Sequence, residues 1–131
     1  MRLLRVREGV WTILAVCDSR GLCPLQDFLG GFDAGVGVEE RKMLALLDRT
    51  SKHGTPSNKE KFSPLRNDIW EFKTTKYRAL CFFDANRVIV CTHGFEKDQR
   101  KTPPGEIERA MRERQRYIEA KSLGAIEIVD G

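Results

Sequence analysis

The chain has 131 residues, 40% hydrophobic and 32% charged, with a formal net charge of +4. That length fits one domain able to bury a core without disulfide or metal staples, and the composition excludes a disordered or fibrous chain. The cationic balance favours an anionic partner, with nucleic acid first among candidates.

No run is long and apolar enough to span a bilayer. The opening "MRLLRVREGVWTILAVC" is interrupted by Arg5, Arg7 and Glu8 and lacks a clean cleavage site. It reads as one or two strands rather than a leader. A cytoplasmic protein without membrane attachment is expected. The cysteines, Cys17, Cys23, Cys81 and Cys91, form no CxxC pair, and His53 and His93 are the only histidines. That spacing offers no zinc-type ligand set, so neither metal nor cofactor is expected. The thiols read as reduced and mostly buried.

In chain order, "VWTILAVCD" (10–18) is β-branched and aromatic, hence a strand. Pro24 opens a short helix, "PLQDFL", which Gly30 and Gly31 end. "VEERKMLALLDRTSKHG" is a longer helix. Met43, Leu44, Leu46 and Leu47 form its apolar stripe. Glu39 and Glu40 suit its first turn, Lys52 and His53 its last, and Gly54 stands at C′. "TPSNKEKFSPLRND" reads as a polar loop carrying Lys59, Lys61 and Arg66. "IWEFKT", "YRALCFFD" and "RVIVCTHGF" follow with short connectors, which suggests an antiparallel meander. The middle run is apolar on both faces apart from Tyr77 and Arg78, as a central strand should be.

The connector after the third run carries Lys97, Arg100 and Lys101. Thr102 is then placed to N-cap a helix with Pro103 at its first position. In that helix Ile107, Ala110, Met111, Arg114, Ile118 and Lys121 share a face, whose apolar members are expected in the core. The other face is dense in Arg109, Arg112 and Arg116. The tail "AIEIVDG" is either an edge strand or a loose end. The division expected is one domain over 1–121 and a tail over 122–131.

If Thr75 and Lys76 form a two-residue loop, Thr74 pairs with Tyr77 and Lys73 with Arg78. Like charges directly opposite destabilise a sheet. Either an anion such as phosphate sits between them, taken bidentately by Arg, or the long side chains splay into solvent. Glu71 falls on the same face, as a base or a counter-charge. His93 lies late in the third strand, close to Lys97. A histidine among Lys and Arg, without metal ligands, suits metal-independent RNA cleavage. There a 2′-hydroxyl attacks the adjacent phosphate, and a base, an acid and cations are needed. No GxxxxGK[ST], GxSxG or HExxH motif competes. The glycines of "GGFDAGVG" make no phosphate cradle.

These blocks together resemble the HigB-type, phage-derived branch of the RelE/ParE toxin superfamily. The resemblance rests on Lys61, Leu65, Trp70-Glu71-Phe72-Lys73, Tyr77-Arg78, His93-Gly94-Phe95-Glu96-Lys97, Thr102-Pro103, Glu106-Ile107 and Ala110. It spans residues 61–118, and the earlier elements fit more loosely. It implies a compact α+β domain with an antiparallel sheet, two N-terminal helices and a C-terminal helix. It also implies a type II toxin that cleaves messenger RNA on the ribosome, and a cognate antitoxin of helix-turn-helix type as partner. Carried over by position, Arg78, Lys73 and His93 are the candidate catalytic residues. Lys61, Arg66, Lys97, Arg100 and Lys101 are the candidate RNA-binding residues, and Tyr77 is assigned to the core. Lys73 replaces the usual Arg and keeps the charge without the planar fork. Asp98 stands where a second Lys is usual and Glu96 where an apolar residue is common. The other readings are a non-enzymatic relative that binds gyrase or a phage or host factor, and a simple nucleic-acid-binding domain.

Overall fold

The hairpin Thr74–Tyr77 sets the register on which the candidate site depends. In the computed structural model, which describes residues 1–33 and 36–130, Thr75 and Lys76 form a two-residue loop closed by Thr74 N–H on the Tyr77 carbonyl at 3.0 Å. Ala34, Gly35 and Gly131 lie outside the described residues, and with them part of the loop "GGFDAGVG".

The elements are β1 (Arg2–Glu8), β2 (Thr12–Val16), α1 (Pro24–Leu29), α2 (Val38–His53), β3 (Phe62–Pro64), β4 (Trp70–Lys73), β5 (Tyr77–Asp84), β6 (Val88–Glu96), α3 (Pro104–Ser122) and β7 (Glu127–Asp130). They form one seven-stranded sheet in the order β3-β4-β5-β6-β2-β1-β7. The α+β class and the meander from β4 to β6 match the sequence reading, with β5 paired on both sides. The sheet, however, is mixed rather than wholly antiparallel: β2 pairs parallel to β6, and β7 parallel to β1. Parallel neighbours need a long crossover. Here β2 and β6 are separated by both N-terminal helices and three strands, and β1 and β7 by nearly the whole chain.

Helices cover both faces. One core joins Leu25 and Leu29 of α1 and Met43 and Leu47 of α2 to Phe72, Cys81 and Cys91 of the sheet. The other sets Ala110 and Tyr117 of α3 on Leu14, Leu80, Phe82 and Val90. Such burial removes apolar surface from water at about 25 cal/mol per Å² and is the main term holding the layers together.

Gly30 ends α1 in the left-handed conformation at φ 72°, and Gly54 ends α2 at φ 94° with its N–H on the Thr50 carbonyl at 2.8 Å. Both positions suit glycine because no Cβ clashes there. The segment read as a polar loop contains the short edge strand β3, where Pro64 is tolerated because an edge strand can spare a donor. The start of α3 also differs from expectation. Pro103, whose side chain has no acceptor, occupies the N-cap and Pro104 opens the helix, while the Thr102 hydroxyl is engaged by Glu71 instead. Within α3, Tyr117 is buried while Ile118 is 41% exposed. The buried positions of α3 are Ile107, Ala110 and Tyr117, with Met111 packed half-buried beside them, so the inward face passes through Tyr117 rather than Ile118. All four cysteines are free and buried, and Cys81 faces Cys91 across β5 and β6. Among the described residues no helix is long and apolar enough to cross a membrane.

Candidate functional site

Strand alternation puts Glu71 and Lys73 of β4 and Arg78 of β5 on the face that α3 covers. Lys73 and Arg78 are direct cross-strand partners, as the two-residue loop requires. Beyond β6 the chain turns back as residues 97–103, and this connector walls off a narrow cavity of about 70 Å³. Lys73, Arg78, Lys97, Arg100 and Lys101 line it, with Glu71 and Asp98 as its carboxylates.

Arg78 is held firmly. Its Nη1 donates to the Thr74 carbonyl at 2.6 Å and the Tyr77 carbonyl at 2.9 Å, and Nε lies 3.8 Å from Glu71 Oε1. Burial pulls its pKa below the ordinary value while Glu71 pushes it back up. Arginine keeps its charge in such a setting, so a fixed guanidinium stands at the cavity wall. Glu71 is buried and takes the Thr102 hydroxyl at 2.6 Å. Its geometry is that of a counter-charge and tether.

A larger cleft of about 640 Å³ adjoins on the far side of the hairpin. Lys73, Arg78 and Lys97 line both spaces. To them the cleft adds Lys61 and, from α2, Lys42 and Arg49, with Glu60 as its carboxylate. A continuous cationic track therefore runs from α2 across the hairpin to the connector. Such a track suits successive phosphates of a flexible strand. Lys42 and Arg49 escaped the sequence reading because polar residues on an amphipathic helix look like ordinary solvated surface. Their spacing of seven, two helical turns on one face, was the available signal.

Arg66 joins the track only at its connector end: it lines a third space with Glu71, Arg100 and Lys101, and its Nη2 is 3.8 Å from Glu108 Oε1. His93 lines neither the cavity nor the cleft. It is 1% exposed, under the first turn of α3. Its Nδ1 is 3.0 Å from Thr92 Oγ1 and its Nε2 is 3.4 Å from Glu106 Oε1. Burial, with Arg109 adding repulsion, lowers its pKa to about 4 despite the nearby carboxylate. The imidazole is thus neutral at ordinary pH. His53 is exposed at the end of α2. Tyr77, assigned to the core, is half-buried against Phe28 at 4.5 Å and donates its hydroxyl to Glu40 at 3.2 Å. Among the described residues, no group of three His, Cys, Asp or Glu side chains is placed to hold a metal ion.

No curated protein matches the sequence. A family model described as "Phage derived protein Gp49-like (DUF891)" matches residues 27–115, which is more than half of the chain and contains every residue of the cationic track. The chain belongs to this Gp49-like family of phage-derived proteins, within the RelE/ParE-like toxin superfamily.

Proposed function

We propose that this protein is the toxin of a type II toxin–antitoxin pair and acts as a ribosome-dependent messenger RNA endoribonuclease of the HigB type. The observation that carries the reading is the opposed pair Lys73 and Arg78, shared by two adjoining cationic spaces. A sheet tolerates such a pair when an anion lies between the two heads. In the reaction the 2′-hydroxyl loses its proton to a base as its oxygen bonds to phosphorus, the bond from phosphorus to the 5′-oxygen breaks, and that oxygen leaves as a hydroxyl by taking up a proton. Negative charge gathers on the non-bridging oxygens, where the fixed Arg78 guanidinium and the Lys73 ammonium meet it. Lys61, Lys97, Arg100 and Lys101, with Lys42 and Arg49, hold the flanking backbone, and Arg66 extends the surface. His93, sealed beneath α3, supports the strand end that delivers the connector. A toxin of this family implies a cognate antitoxin, here proposed to be of helix-turn-helix type.

Induced expression in a bacterium, followed by primer extension on abundant messages, tests this. The wild type should cut translated messages in frame, and Arg78→Ala should not. Intact message despite soluble expression would rule out the nuclease and favour a relative that binds a protein such as gyrase.

A further inference from the structure

The connector between β6 and α3 is tied at both ends. At its start the Lys97 N–H donates to the Lys76 carbonyl at 2.7 Å. At its end the Thr102 hydroxyl donates to Glu71 Oε1 at 2.6 Å. The Glu71 side chain is only 8% exposed, so this charge-assisted bond provides much of its solvation. The Thr102 hydroxyl is not spent on capping α3, since Pro103 takes the N-cap. Between the two ties stand Arg100 and Lys101, and Lys97 lies at the first, all facing a space shared with Lys73 and Arg78.

We propose that Glu71 is a positioning residue for RNA: through Thr102 it latches the connector as a strap, so that Lys97, Arg100 and Lys101 converge on the space floored by Lys73 and Arg78. This rests on the nucleic-acid reading above. A loose strap would have to be ordered as RNA bound, whereas the latched one has paid that entropy on folding.

Three variants separate the roles. Thr102→Val removes the donor at constant shape. Thr102→Ser restores it. Glu71→Gln keeps an acceptor and removes the charge. Each folded protein, checked by thermal unfolding, is digested briefly with trypsin. Each is also titrated with a fluorescent single-stranded RNA oligonucleotide across a salt series. Thr102→Val should speed cleavage at Lys97, Arg100 and Lys101 about tenfold, as expected for losing a hydrogen bond to a charged group. It should lower the slope of log affinity against log salt by about 1.4, since each single-strand phosphate contact contributes about 0.7 and two cations, Arg100 and Lys101, disengage while Lys97 stays tied to Lys76. Thr102→Ser should behave like the wild type in both assays, and Glu71→Gln, whose neutral acceptor makes a weaker bond, should fall between the wild type and Thr102→Val. Wild-type behaviour of Thr102→Val would overturn the latch. Glu71→Gln that binds normally but no longer cuts message would overturn the positioning role in favour of direct proton transfer. A wild type with a protected strap and no affinity for RNA would sink the RNA reading, and with it the role assigned to Glu71, although the strap would still be latched.

Discussion

Lys73 and Arg78 are Cα partners across β4 and β5, and both side chains stand on the face covered by α3. The pair should therefore act in opposite directions on stability and on binding. Lys73→Gln is expected to stabilise the fold by about 0.2–1 kcal/mol by removing the like-charge pair, while weakening RNA binding. Urea unfolding and an RNA titration on the same preparation would check both. Arg78→Lys should not substitute, because a lysine cannot reproduce the two carbonyl bonds of Nη1 while leaving a further donor, as Nη2 does, for phosphate. Message cutting should fall by about 100-fold or more, the usual loss when one donor to a developing oxyanion is removed.

His93 makes stability depend on pH. Its pKa is lowered to about 4 in the folded state by burial, with Arg109 of α3 adding repulsion, although Glu106 Oε1 of α3 lies 3.4 Å from Nε2. The unfolded chain binds the proton near pH 6.5, so acid favours unfolding. No penalty exists above pH 6.5; it grows as the pH falls toward 4 and reaches about 3 kcal/mol at most. Urea unfolding of the wild type and His93→Gln at pH 7 and pH 4.5 would show it. The variant should lose less stability than the wild type between the two. Equal losses would mean that the imidazole is already solvated.

The position of His93 also shows where sequence reading stops. The meander, both N-terminal helices and the register of Lys73 against Arg78 were legible, because alternation, glycine caps and a two-residue loop each leave a local signature. The placement of His93 was not. Leu80 pairs with His93 but Cys81 pairs with Cys91, so Thr92 is the extra residue of a β-bulge. One extra residue reverses the face of everything after it. Without the bulge His93 would face α1 and α2; with it the ring lies under α3. Nothing in "VCTHGF" announces this, since the bulge is fixed by packing on both sides of the sheet. The parallel docking of β7 and the use of Thr102 as a tether rather than a cap are likewise set by partners distant in sequence.

Gly94 follows the bulge and faces α1. A Cβ built there would lie 2.5 Å from Phe28 Cδ2, 2.9 Å from Phe28 Cε2 and 3.3 Å from the Arg78 carbonyl oxygen. The glycine is required by this close approach of helix and strand, not by a special backbone angle. Gly94→Ala should cost about 1–3 kcal/mol as overpacking. Combining it with Phe28→Leu should recover part of that loss, because the two sites share one contact and are not additive. A double-mutant cycle by urea unfolding would measure the coupling. A coupling of zero would mean that α1 shifts freely to accommodate the methyl.

Tyr117 and Ile118 are neighbours on α3 with opposite expected sensitivities. The Tyr117 hydroxyl donates to Asp84 Oδ2 at 2.5 Å, and Lys121 Nζ meets the same oxygen at 2.7 Å. The ring packs against Phe82 with centroids 5.4 Å apart. Burial tends to raise the Asp84 pKa, but Lys121 and Tyr117 outweigh it and hold the carboxyl below its ordinary value. Tyr117→Phe keeps the ring and removes the donor, which should cost about 1–3 kcal/mol at neutral pH. The loss should shrink in acid as Asp84 takes up a proton, since the stabilisation from a depressed carboxyl disappears as pH falls through its folded pKa. Ile118→Ser should change stability by no more than about 0.5 kcal/mol, the usual range for an exposed site. Urea unfolding of the two variants at pH 7 and pH 3.5 separates the roles. Equal costs at neutral pH would mean that the inward face of α3 runs through Ile118, and that the tie between α3 and β5 is not made by Tyr117.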